Sequence, residues 1–340
     1  PATTTFLNPS VDTLKRLRID IFEEYAATAD ANPAIVGSAL TVDDKGVMLG
    51  ALQYREGLTF DTDTYLMESS SRKGEFLSVQ GGSNKTIPVT NEDTGVIGLL
   101  SIDPSYTNVQ DIHYCHINYF EADGSALTTN KVDISAIMST IATPDECMQF
   151  LQVYPKNLID LFTGNLDPNN GANSGWAYYE VYLTNQNETQ VLSEVVRFEL
   201  MDCTPFERVR LRFLNTLGSW DYLNFNLNST QSYRASRQEY EKVLGDYSGT
   251  TFSYGQSDRG QSVSDVVTIE TKRIQSDIYD ESYNSTFQEL LSSREVYIMD
   301  GVIPRPVIIQ DSNKQMIKKI DQQMIRYDFR IEYSNEIISA

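Results

Sequence analysis

Histidine and cysteine are the side chains best suited to binding metals and to nucleophilic or acid–base work near neutral pH. This chain has few of them: His113, His116, Cys115, Cys147 and Cys203. Three fall in the run Asp111-Ile112-His113-Tyr114-Cys115-His116-Ile117. On a strand, successive side chains alternate between faces, so His113 and His116 point apart while His113 and Cys115 share a face. That pair is half a zinc site, and no matching ligand pair lies elsewhere. A Cys–His nucleophile needs both groups within hydrogen-bond reach, and the neighbours Cys115 and His116 point apart. No Gly-x-Ser-x-Gly elbow, phosphate loop or dinucleotide fingerprint occurs. The expectation is therefore no catalytic residue, no metal and no cofactor, in a chain that is not an enzyme.

Oxygen chemistry is less constrained. The chain holds 47 Asp plus Glu, and nothing in their spacing marks two as a glycosidase pair. Asp61-Thr62-Asp63 and Asp167-Pro168-Asn169-Asn170-Gly171 put calcium-type ligands on loops. Neither fits the twelve-residue calcium loop, and turn chemistry accounts for both. The richer signal is aromatic. Twenty tyrosines offer rigid, amphipathic contact area of the kind that interfaces and glycan sites use.

Arginine joins these aromatics at one place. Glu207–Asn215 and Trp220–Asn228 flank Thr216-Leu217-Gly218-Ser219 and predict a hairpin. Alternation gathers Val209, Leu211, Phe213, Leu223, Phe225 and Leu227 on a core face. It leaves Arg208, Arg210, Arg212, Trp220, Tyr222, Asn224 and Asn226 on the other. That second face is expected either to form surface pairs with Glu199 or Glu207 or to meet another subunit through cation–π and hydrogen-bond contacts.

The elements around this hairpin predict a mainly β fold with a few helices. Residues 10–29 have Leu14, Leu17, Ile21, Phe22 and Tyr25 at three- and four-residue spacing, with Ser10 as N-cap and Asn32-Pro33 as stop. They predict an amphipathic helix, with Leu14, Leu17 and Ile21 as contact candidates should it dock on a neighbour. From residue 36 the texture is short strands and turns, with a helical turn at 155–162. Beyond it lie strands near 176–184, 190–201, 262–274, 296–299, 302–310 and 325–333, and a helix at 280–292 that buries Tyr283, Phe287, Leu290 and Leu291. The expected organisation is a helical arm (1–35), a β-rich module or modules (36–170) and a β-rich module with an inserted helix (171–340), sandwich-like and in tandem.

Composition narrows the partners. The 340 residues carry 27 Lys plus Arg, a formal charge of −20. Such a surface repels nucleic-acid phosphate and anionic membrane, so neither is an expected partner. Hydrophobic residues at 40% and charged residues at 22% are those of a globular chain. No apolar run approaches the span of a bilayer, and residues 1–22 do not read as a signal peptide. The odd, unspaced cysteines read as free thiols made in a reducing compartment.

The second half resembles a known family. Arg208 to Phe225 reads Arg-Val-Arg-Leu-Arg-Phe-Leu-Asn-Thr-Leu-Gly-Ser-Trp-Asp-Tyr-Leu-Asn-Phe. Further on come Thr268-Ile269-Glu270-Thr271, Phe287-Gln288-Glu289-Leu290-Leu291-Ser292-Ser293-Arg294-Glu295-Val296-Tyr297, Ile303-Pro304 with Val307-Ile308, and a closing strand from Tyr327 to Tyr333. This order and spacing over about residues 176–340 is similar to that of virion structural proteins of tailed bacteriophages, especially crAss-like and related phages of Bacteroidetes. The family pattern often has proline where Arg294 stands. The resemblance implies a tail, hub, ring or collar component, made in the host cytoplasm and residing in the virion tail. Its expected partners are itself, as a homo-oligomer in ring form, and other virion proteins. The alternative is a receptor- or carbohydrate-binding tail protein that meets a host glycan through Trp176, Tyr178, Tyr179, Trp220 and Tyr222.

Overall fold

In a computed structural model, residues 6, 61, 64–67, 73–81, 84–101, 112–138, 148–201, 207–258, 260–301, 303–311 and 324–335 are described in full. Residues 7–9, 14–25, 34–48 and 337–338 are described by backbone alone. The protein is mostly β, as its alternating runs predict. Its three short α-helices among the described residues are Ser135–Met138, Pro155–Leu161 and Asn284–Ser292. None is long and apolar enough to cross a membrane.

The chain forms two compact units, each discontinuous in sequence: residues 1–203, 212–223 and 280–294, then residues 204–211, 224–279 and 295–340. The loop Asp167–Gly171, expected as a boundary, lies inside the first unit. The reason is strand pairing. β9 (Tyr178–Thr184) completes a sheet with β6 (Tyr114–Phe120), so strands on either side of the loop share one ladder.

The first unit holds two larger sheets. In one, β4 (Thr86–Val89), β10 (Val196–Leu200), β9, β6 and β7 (Ala126–Asp133) lie in that order, with β4 and β10 parallel and the rest antiparallel. In the other, β8 (Met148–Leu151) lies between β1 (Leu7–Pro9) and β5 (Ile97–Leu100). One continuous apolar core draws on both sheets, through Leu99, Met148 and Leu151 from one and Ile117, Tyr179 and Phe198 from the other. The arrangement is sandwich-like. Aromatic rings fill its centre: Tyr179 stacks on Phe198 at 4.8 Å, and Tyr154 meets Phe198 edge-on at 5.1 Å.

The N-terminal helix is not formed. β2 (Leu14–Tyr25) pairs antiparallel with β3 (Ala34–Met48) in a two-stranded sheet. The sequence suits both structures: Leu17, Ile19 and Ile21 alternate with Arg16, Arg18 and Asp20, and β-branched isoleucine favours the strand. The ladder's two irregularities place their extra residues on β3, where Leu17–Ile19 faces Lys45–Val42 and Ile21–Glu23 faces Leu40–Val36, so β2 keeps its period of two beside the helical spacing of Leu14, Leu17, Ile21 and Tyr25. Leu14, Leu17 and Ile21 thus sit on a strand, and their side chains lie outside the described residues.

The second unit is built on a long sheet. Its strand order is β12 (Trp220–Phe225), β11 (Val209–Leu214), β18 (Val296–Asp300), β19 (Ile303–Ile309), β21 (Asp328–Tyr333), β16 (Gln261–Gln275) and β13 (Asn228–Glu241), with β22 (Ile337–Ile338) also pairing β16. The chain leaves this unit after Leu211 and rejoins it at Asn224, so the hairpin's turn belongs to the first unit. Two short pairs complete the described strands: β14 (Asp246–Ser248) with β15 (Thr251–Ser253), and β17 (Tyr279–Asp280) with β20 (Met324–Ile325).

Candidate interaction surface

The strand that carries the histidines alternates as expected. Cys115, Ile117 and Tyr119 are fully buried, and burial alone pushes the Cys115 thiol far above its usual range. A thiol held protonated is neither nucleophile nor metal ligand. His116 faces the other way, stacked flat on Tyr182 at 4.7 Å, with Nε2 2.9 Å from Thr184 Oγ1. His113 Nδ1 lies 3.6 Å from Asp133. Among the described residues no three His, Cys, Asp or Glu side chains converge as a metal site would require. Cys147, Cys203, Thr62 and Asp63 lie outside the described residues. Asp167 and Asn170 spend their side-chain oxygens on the backbone N–H groups of Asn169 and Ala172, which is turn chemistry.

His116 gives the fold a pH dependence. Burial lowers its pKa from the ordinary 6.5, ahead of the nearby Glu188 carboxylate, which raises it, and Lys131, which lowers it. A histidine with a depressed folded pKa binds fewer protons in the native state than in the unfolded one. Its contribution is complete above pH 6.5 and is lost as the pH falls. His116→Gln is therefore expected to flatten the decline in unfolding free energy as the pH falls below 6.5, measured by urea titration at several pH values. An unchanged slope would show that the imidazole titrates alike in both states.

The hairpin's core face is buried as alternation predicts: Val209, Leu211, Phe213, Leu223 and Phe225 are all under 4% exposed. Leu227, one residue pair beyond, is only half-buried. Its second face is not the outward patch expected. Arg210 is 4% exposed and donates from Nη1 to Asn224 Oδ1 at 2.9 Å. Tyr222 is 2% exposed; its ring lies 5.1 Å from that of Tyr154, and its hydroxyl oxygen accepts from the Val96 N–H at 3.2 Å. The Arg212 guanidinium lies 3.9 Å above the Trp220 ring, so these two half-buried side chains pack on each other. Arg208 is half-buried beside a cleft. Period two sorts residues by face, but it does not say that the polar face meets solvent. Here polar side chains are buried with internal partners.

The same burial takes three of the five stacking platforms expected of a glycan site, Tyr222 among them. Trp176 and Tyr179 are internal. Tyr178 is stacked on Phe120 at 5.0 Å, with the Arg197 guanidinium 4.0 Å over its ring.

The cleft in the second unit has a volume of about 750 Å³, and its lining includes Glu207, Arg208, Glu270, Lys272, Asp300, Arg305 and Tyr333. Two of its cations sit on carboxylates. Lys272 Nζ lies 2.9 Å from Glu207, and Arg305 lies 2.6 Å from Asp300. Burial and the Glu270 carboxylate hold the Tyr333 phenol protonated above its ordinary range.

The large unsatisfied surface lies elsewhere. β13 and β16 pair antiparallel from Asn228–Gln275 out to Glu241–Gln261, and a further short pair, β14–β15, forms the tip. Every residue of β13 but one is exposed. Apolar side chains stand in solvent along this ribbon: Val243 at 96%, Tyr247 at 72%, Tyr254 at 66% and Tyr233 at 60%, with Tyr240, Leu244, Phe252 and Val263 also exposed. At the tip Tyr247 and Phe252 pack on each other at 5.1 Å. Sequence reading finds the β16 strand but not the ribbon. A strand with no buried face has no apolar period, and Ser, Thr, Gln and Ser at 229–232 read as a loop. The available signal was the set Tyr233, Tyr240, Tyr247, Phe252 and Tyr254 in a polar stretch without an apolar face to join.

No family model matches the chain, and no curated protein matches it.

Proposed function

We propose that this chain is a structural subunit of a tailed-phage virion, a tail, hub, ring or collar component that works through contacts with its own copies and with other virion proteins. The observation that carries the reading is the projecting ribbon. A two-stranded ribbon alone in water is marginally stable, and clustered exposed aromatics on it mark a contact surface. The resemblance of residues 176–340 to virion structural proteins supplies the particle.

The test removes the tip and leaves the ribbon closed. The Lys242 N–H donates to the Gly260 carbonyl at 2.7 Å, so residues 243–259 can be replaced by an Asn-Gly turn, which suits a two-residue hairpin loop. The full chain is expected to assemble at micromolar concentration in sedimentation velocity. The shortened chain keeps β13 and is expected to assemble at least about tenfold more weakly, while its melting temperature stays within about 2 °C. A monomeric full chain, or a shortened chain that assembles equally well, would overturn the reading.

A further inference from the structure

We infer that the open edge of β13 is a self-docking surface: a second copy of this chain pairs its own β13 antiparallel with it, about a two-fold axis at Gln238. This rests on the proposed assembly role and names the surface and its occupant.

Three observations carry it. The first is the state of the edge. β13 ends the long sheet, so its outer backbone groups have no strand to pair with among the described residues. Proteins blunt such edges with proline, bulges or charged side chains, lysine above all; the four charges of β13, Arg234, Arg237, Glu239 and Glu241, are two of each sign and so can pair across a ladder. The fourteen residues from Asn228 to Glu241 contain no proline, glycine or lysine. The one irregularity in the ribbon falls on the inner strand: Gln238 pairs Asp265 while Glu239 pairs Val263, so Ser264 is the extra residue and β13 stays regular.

The second is the distribution of charge. The first unit contains 13 of the 27 basic residues and 32 of the 47 acidic ones; the second contains 14 and 15. Nineteen of the twenty net negative charges therefore lie in the first unit. Contact between copies through the first unit meets strong repulsion, whereas the second unit is close to neutral and free to associate with itself.

The third is register. Residues directly opposed across a ladder share a face, and a two-fold axis normal to the sheet preserves faces. The axis must therefore pass through a residue that opposes itself. Centring on Arg237 or on Glu239 sets like charges together. Centring on Gln238 sets Arg237 of each copy against Glu239 of the other, twice, in the middle of the paired strands; the like pair Arg234–Lys242 falls at the end of the overlap, one residue past β13. Neither side chain has an ion-pair partner among the described residues of its own chain. Ala235–Glu241 of both copies then overlap, an ordinary strand length. Each aromatic tip is carried alongside the other copy's β13.

The test uses the full-length chain and two charge reversals, Arg237→Glu and Glu239→Arg. Both sites are exposed, so each variant is expected to keep the wild-type melting temperature. Each alone sets like charges in opposition at two symmetric places, and is expected to weaken self-association at least about tenfold by sedimentation equilibrium. Mixed one to one, the two variants restore both opposite-charge pairs, and association is expected to return towards the wild-type value. If the wild type assembles but both variants assemble equally well, this pairing is wrong while the assembly role stands. Weakened variants whose mixture does not recover also overturn it. A monomeric wild type overturns both.

Discussion

Asp221→Ala is expected to destabilise the first unit by about 3–5 kcal/mol, and Asp221→Asn by no more than about 1 kcal/mol. The carboxylate is 1% exposed. One oxygen lies 2.5 Å from the Ser78 hydroxyl; the other accepts from the Val79 N–H at 3.0 Å and from Asn215 Nδ2 at 2.9 Å. Alanine leaves these donors in a dry site without an acceptor, at about 1–3 kcal/mol for each buried group left unsatisfied. Asparagine can put its carbonyl where the second oxygen stood and keep both nitrogen donors. Its amide then faces Ser78, whose hydroxyl turns to accept.

The charge itself stabilises nothing here. Desolvation raises the Asp221 pKa despite the hydrogen bonds from Ser78, Asn215 and Val79 that lower it. A carboxyl whose folded pKa is raised binds its proton more tightly in the native state. Its stabilising contribution is present below the unfolded pKa, about 3.9, and is lost as the pH rises through the folded value. Asp221→Asn removes that slope. Urea titrations of the three proteins at pH 7 and in mild acid would measure both effects. An alanine variant within about 1 kcal/mol of the wild type would mean that water already serves these donors.

Asp221 also shows why the sequence is only partly legible. The hairpin that carries it can be read locally: Val209, Leu211 and Phe213 alternate, the turn holds Gly218, and Leu223 and Phe225 return on the same face. The helix at Asn284–Ser292 declares itself by Tyr283, Phe287 and Leu290, which are buried. What lies on the hairpin's second face is decided by partners more than a hundred residues away, Ser78 and Val79 for Asp221 and Val96 for Tyr222. No local period encodes such pairings. At β2 the local pattern serves two periods at once, and pairing with β3 selects the strand. The ribbon fails differently. Nearly every residue of β13 is exposed, so no buried face imposes an apolar period on it; under the assembly role proposed above, its sequence answers to a contact with another chain.

Phe225→Ala is the complementary prediction, for the second unit, with an expected cost of about 3–5 kcal/mol. The ring is 2% exposed and meets Phe329 edge-on at 5.7 Å, with an interplanar angle of 88°. Phe329, Ile274 and Ile331 in the same unit are fully buried. These strands are hydrogen-bonded into one sheet and cannot readily close over the space a lost ring leaves, so the cavity adds to the transfer term. Leu227 lies on the same face by alternation but is half-buried, and Leu227→Ala is expected to cost about 1 kcal/mol. The contrast between these two positions measures how far the core extends along the strand. Calorimetry adds a second check, because Asp221 and Phe225 belong to different units although only three residues separate them. Where heating resolves two transitions, Asp221→Ala is expected to lower one and Phe225→Ala the other. If both variants shift the same transition equally, the units unfold as one, and the hairpin whose two strands pass between them is the element that couples their unfolding.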